Sequence, residues 1–135
     1  ARADQYRGFN LVLGDADGFY YFTNQSSKIT RLEPGYYGLS NQRLNCNWPK
    51  VIEGQEKLEH AVHQPALADA LSIVLSDEGD HHAFSNSFIA SAEYGTRAST
   101  VVIWKKDGSL SFEEQSYAKN GVAQGLQKHS FTVKN

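Results

Sequence analysis

Two short stretches carry residue types that an active site uses. "YYGLSN" runs from Tyr36 to Asn41 and "YGTRAST" from Tyr94 to Thr100, each at the edge of a β-like segment with a glycine turn. A side-chain amide such as that of Asn41 can donate to a developing oxyanion, and an arginine fork such as that of Arg97 can fix a carboxylate. The ordinary alternative makes Asn41 a turn residue that bonds its own chain and Arg97 a surface ion-pairing residue. No nucleophile stands beside either stretch, so together they read as half of a site.

The other candidates are weaker. His60 and His63 stand three apart on an expected helix, and His81 and His82 are adjacent in a polar loop. Four imidazoles could hold zinc or a haem iron, but neither a His-Glu-x-x-His nor a Cys-x-x-Cys spacing is present. Exposed histidines beside a loop are the plainer reading, and no metal site is assigned. Cys46, the single cysteine, lies before a helix start, where a thiol can be activated. No His or Asp is spaced to pair with it, so it reads as structural. No Gly-x-Ser-x-Gly elbow exists. "GDADG" lacks the acidic twelfth position of a calcium loop, and the glycines do not form a phosphate loop.

The elements that must position these residues follow from the pattern. "RGFNLVLG" (Arg7–Gly14) reads as a strand, Asp17-Gly18 as a hairpin turn, and the aromatic "FYYFT" (Phe19–Thr23) as its return. A polar turn at Asn24–Lys28 precedes a short strand, "ITRL". Pro49 suits the first turn of a helix, with Asn47 as its cap and Val51, Leu58, Ala61 and Val62 along one face. After Pro65 a second helix places Leu67, Leu71, Val74 and Leu75 on one face. Asp77–Ser87 reads as a loop, and "FIAS" as a brief strand or helical turn. Ala98–Trp104 and Ser109–Ser116 form a hairpin around "KKDG". The tail "KNGVAQGLQ" reads as mobile, with His129–Val133 an edge strand. Strands, helices, then strands imply an α+β fold with antiparallel sheets and two central helices.

The 135 residues fit one domain, 1–135, or one large piece of a domain. With 40% hydrophobic and 21% charged residues the composition is globular. A net charge of −2 with no basic-aromatic clusters gives no attraction to nucleic acid. No apolar run reaches the ~20 residues that span a bilayer. A lone cysteine suits a reducing compartment, and a cytoplasmic location is expected. The chain contains no methionine, which leads us to expect further polypeptide upstream.

Three longer segments are more specific: "YRGFNLVLGDADGFYYFTN", "LEPGYYGLSNQRLNCNWPKV" and "YGTRASTVVIWKKDGSLSFEEQS". In order and content, from Tyr6 to about Ser116, they resemble the later part of the NRDE family, also called transport and Golgi organization protein 2. Arg7 departs from a frequent Asn, and Cys46 stands where Asp, Glu or Thr is common. The resemblance implies the C-terminal portion of a longer protein, its partner being the upstream half that carries Met-Cys and the Asn-Arg-Asp-Glu motif. It also implies part of an αββα sandwich like that of N-terminal nucleophile hydrolases, whose cysteine branch uses the N-terminal Cys as nucleophile.

By the same resemblance Asn41 is an oxyanion donor and Arg97 a site support, with the nucleophile outside this chain. Family associations with haem handling and lipid metabolism imply a hydrophobic small molecule as ligand, haem being the candidate cofactor or cargo. Three readings therefore stand: non-catalytic binding or trafficking of such a ligand, half of a cysteine amidohydrolase site, and a purely structural half-sandwich.

Overall fold

The computed structural model describes residues 2–15, 17–79 and 85–133, without the side chains of Asp4 and Ser27. His81 and His82 lie outside the described residues. The fold is α+β, with two three-stranded antiparallel sheets and two helices. By its internal contacts the chain divides into two compact units, Ala1–Asn47 and Trp48–Asn135.

The first unit is a meander of β1 (Asn10–Asp15), β2 (Gly18–Thr23) and β3 (Ser26–Leu32). β1 faces β2 with Asp15 opposite Gly18 and Asn10 opposite Thr23. The segment before β1 is held by Asn24, between β2 and β3. Its Oδ1 accepts the Phe9 N–H at 2.7 Å, and its amide donates to the carbonyls of Ala3, Tyr6 and Arg7. One side chain thereby satisfies backbone groups that no strand pairs, and β1 starts at Asn10 rather than Arg7.

The second unit opens with α1 (Pro49–Ala61) and α2 (Leu67–Leu75). Pro49 occupies the first turn, where its missing N–H costs nothing. The residue before a proline is driven to extended backbone. Trp48, at ψ 138°, is therefore the cap instead of Asn47, and no side chain caps the helix. Val51 and Ala61 are buried on α1, whereas Val62 lies just past the helix end and is exposed. On α2 the expected face of Leu67, Leu71, Val74 and Leu75 is half-buried, while Ile73 is exposed.

β4 (Ala98–Trp104), β5 (Ser109–Tyr117) and β6 (Ala123–Thr132) complete this unit in that order. The tail expected to be mobile is instead a short 3-10 turn, Lys119–Gly121, followed by the ten residues of β6. Asn120 and Gly121 take positive φ (59° and 69°) and reverse the chain, and a Cβ on Gly121 would meet the Phe88 ring at 2.9 Å. β6 then pairs with the open edge of β5 from Ala123 to Thr132, helped by Lys128 bonded to Glu113 at 2.7 Å. Its sequence is polar, so its pairing comes from that edge and not from an apolar period of its own.

Val101 is buried on β4, and α2 packs against that strand. Val101, Glu113 and Lys128 share one row of the sheet. Lys128 has its pKa raised by Glu113, its hydrogen-bond partner, with a smaller electrostatic contribution from Asp69 of α2. α2 therefore covers the Val101 face. The segment 85–97 forms neither helix nor strand, against the expectation for "FIAS". Phe88 is nonetheless buried there, edge-on to Tyr117 at 4.8 Å, and so does core packing without regular backbone.

Candidate functional site

Asn41 sits near the tip of a tight loop that closes on the first sheet. The loop's arms meet at a single bridge between Leu39 and Leu44. One residue out, the Asn45 N–H donates to the Gly38 carbonyl at 2.7 Å, and the Asn45 Oδ1 accepts from Gly38 N at 3.1 Å. Asn45 holds φ at 49°, a left-handed conformation that Asn tolerates better than most residues. At the tip, Ser40 Oγ accepts from the N–H of Gln42 at 3.1 Å and of Arg43 at 3.5 Å. The turn is thus built by the Ser40 hydroxyl, while Asn41 itself faces solvent.

The sheet grips this loop through Asn10. Its amide donates to the Ser40 carbonyl at 3.2 Å and to the Asn41 carbonyl at 3.3 Å. Its Oδ1 accepts from the Tyr21 hydroxyl at 2.7 Å, and that hydroxyl accepts the Leu44 N–H at 3.3 Å. Tyr21 is buried at 8% exposure, so the relay is shielded where it meets the core. The result fixes the Asn41 backbone and leaves its side-chain amide without a partner among the described residues, available as a donor. Asn10, Tyr21 and Ser40 are the residues that sequence reasoning missed. The available signal was Asn10 itself, a polar residue opening the apolar run "NLVL".

Cys46 lies under the same loop. It is 2% exposed, with its sulfur 3.1 Å from Ser40 Oγ. A thiol this enclosed packs the loop and is not presented to a substrate.

Arg97 belongs to the second unit, immediately before β4. Its carbonyl accepts the Tyr117 N–H at 2.9 Å. The preceding motif closes on itself: Thr96 N–H donates to the Ile89 carbonyl at 2.9 Å, and Thr96 Oγ1 accepts from Ile89 N at 3.0 Å. Gly95 is needed here because a Cβ would stand 2.8 Å from the Ile89 carbonyl oxygen. Arg97, exposed, lines a hollow of about 90 Å³ together with Thr96 and Lys119. Asn41 and Arg97 thus sit on different units, each held by local backbone bonds.

A larger concavity lies between α1 and α2. It measures about 1060 Å³ and is lined by Ala61, Pro65, Ala66, Ala70, Ile73 and Val74, with His60, Lys57 and Asp77 also on its wall. Lys57 is bonded to the Asp77 carboxylate, and this contact is the main reason that carboxyl titrates below its usual range. Of the candidate histidines, His60 is on this groove.

The model of the family described as Transport and Golgi organisation 2 matches residues 1–119, which is most of the chain. The chain belongs to the Transport and Golgi organisation 2 family. It is similar to the Transport and Golgi organization protein 2 homolog of Bos taurus, with 28% identity over 146 residues, covering 86% of this chain and 53% of the relative. Similarity extends to the Mus musculus homolog at 27% identity, with 82% and 51% covered. The Homo sapiens homolog is 26% identical over the same shares. The chain spans about half the length of the curated relatives it matches. The Asn10–Ser40–Asn41 clamp and the Thr96–Arg97 closure both lie inside the region matched by this family, whereas all of β6 lies beyond residue 119. Among the described residues no helix is long and apolar enough to cross a membrane.

Proposed function

We propose that this chain supplies a binding site for an apolar small molecule, taken up in the groove between α1 and α2. The observation that carries the reading is the groove itself. Its volume of about 1060 Å³ is at the upper end of what small-molecule sites use, roughly 300–1,000 Å³. Its apolar wall is formed by Ala61, Pro65, Ala66, Ala70, Ile73 and Val74, and seven polar residues, among them Lys57, His60 and Asp77, line the rest and would orient a ligand. Haem is the candidate cargo because His60 lines the wall and imidazole is an ordinary axial ligand. The word transport in the relatives' names agrees with a carrier role.

Titration with haemin tests this directly. A saturable Soret shift at micromolar haemin is expected, with the axial-ligand signature lost in His60→Ala. A spectrum that stays that of free haemin removes haem as the cargo, and unchanged binding by His60→Ala moves the site elsewhere.

A second reading rests on the clamped loop. Asn41 would be the oxyanion donor and Arg97 the site support of a cysteine amidohydrolase in an N-terminal-nucleophile αββα sandwich. The nucleophile would come from polypeptide outside this chain. The restrained Asn41 backbone with its open amide supports it, since preorganised donors stabilise an oxyanion best. A family-length relative that neither labels at an N-terminal Cys nor turns over an amide ends this reading.

A further inference from the structure

The groove between α1 and α2 has an unbalanced wall. One ammonium, that of Lys57, lines it against three carboxylates, those of Asp69, Asp77 and Glu78. Lys57 cannot offset the others, because it is bonded to Asp77 and stands 3.9 Å from Glu53 on α1. Lys128 of β6, which the Asp69 charge reaches, is itself bonded to Glu113 at 2.7 Å. Asp69 and Glu78 are exposed and make no ion pair among the described residues. In sequence they bracket Ala70, Ile73 and Val74 of the apolar wall. A chain laid along that wall therefore meets a carboxylate near either end.

A charged head group leaves water cheaply only where opposite charge receives it, and such complementarity sets specificity more than raw affinity. Resting on the groove as the binding site, we infer that its cargo is an amphiphile with a cationic head, in chemical class a long-chain amine. The alkyl tail lies on Ala70, Ile73 and Val74, and the ammonium donates charge-assisted hydrogen bonds to Asp69 or Glu78. An anionic head is repelled at the same places, so a haem in this groove would turn its two carboxylates out to solvent.

The test uses three probes of one chain length, dodecylamine, dodecanol and dodecanoate, each below its micelle concentration at pH 7 and low salt, with binding read by calorimetry. Dodecylamine should bind saturably and roughly tenfold more tightly than dodecanoate, since each exposed charge contact is worth about a few-fold. That preference should shrink at 1 M salt, where screening acts beyond about 3 Å. It should also shrink in the double variant Asp69→Asn, Glu78→Gln. Ile73→Gln changes a side chain that is 71% exposed, leaves the charges alone and should weaken all three probes alike. Equal affinity for amine and carboxylate overturns the inference, as does a preference that survives the double variant. If Ile73→Gln still weakens binding in either case, the groove reading stands without it. Failure of all three probes to bind, dodecanol included, removes the groove reading and the inference with it.

Discussion

The two three-stranded meanders share their connectivity and differ in what covers them. The first sheet is gripped by a loop through directional hydrogen bonds, from Asn10 to two carbonyls and from Tyr21 to Asn10. The second is packed by α2 and by Phe88, through Val101 and Tyr117, with area rather than direction holding it. Hydrogen bonds fix where an atom points, whereas apolar contact fixes how much surface is dry. The first unit is therefore built to position a turn, and the second to support a surface or groove. The contrast predicts that their failures differ in kind as well as size.

The largest loss should come from the apolar side. Phe88→Ala removes a ring that is 6% exposed and edge-on to Tyr117. A buried Phe→Ala costs about 3–5 kcal/mol, so chemical denaturation should show the second unit's transition shifted to much lower denaturant. A shift no larger than that of an exposed alanine substitution would mean Phe88 is not core, and would erase the contrast.

Asn10→Ala should cost less and act differently. The Tyr21 hydroxyl loses its acceptor, and two carbonyls lose a donor. Leaving such groups unsatisfied costs about 1–3 kcal/mol. The sharper readout is local. Amide exchange at Gln42 and Arg43, whose N–H groups bond Ser40 Oγ, should accelerate while the second sheet's ladder keeps its protection. Equal acceleration in both sheets would mean the clamp is ordinary packing and does not position Asn41.

How much of this was legible follows from the same division. The α2 face of Leu67, Leu71, Val74 and Leu75, and the hairpin at Asp107-Gly108, follow from local period and turn chemistry. Asn41 and Arg97 were named from residue type and motif. The clamp was not visible, because residues 10, 21 and 40 meet only through pairing register and a loop that folds back. β6 was legible only at its end, where His129–Val133 reads as an edge strand; its start at Ala123 was hidden for a related reason, since a polar strand is specified by the edge it joins. The segment around Phe88 misled in the opposite direction, its short apolar run suggesting regular structure where a loop supplies the core residue.

The smallest effect concerns the ion pair between Lys57 and Asp77. Asp77 also accepts the Gly79 N–H through its carboxylate, and its carbonyl takes the N–H groups of Ser87 and Phe88. It therefore joins the end of the helical pair to the loop that delivers Phe88. Its carboxyl pKa is lowered first by the hydrogen bond from Lys57, against an opposing effect of burial, with Gly79 adding to the depression. A depressed folded-state value means the stabilisation is present above the unfolded carboxylate value of about 3.9 and is lost as pH falls through the folded value. Lys57 is 43% exposed on its side chain, so screening keeps the pair to roughly 0–1 kcal/mol. Asp77→Asn should therefore be slightly less stable than the parent at pH 7, by urea denaturation, and the gap should close as the pH is taken below about 3.9. A gap that survives full protonation would show that the side-chain geometry of Asp77, as in its bond from the Gly79 N–H, rather than its charge, ties the loop to the helices. The apolar character assigned to the second unit would then have a polar hinge of its own.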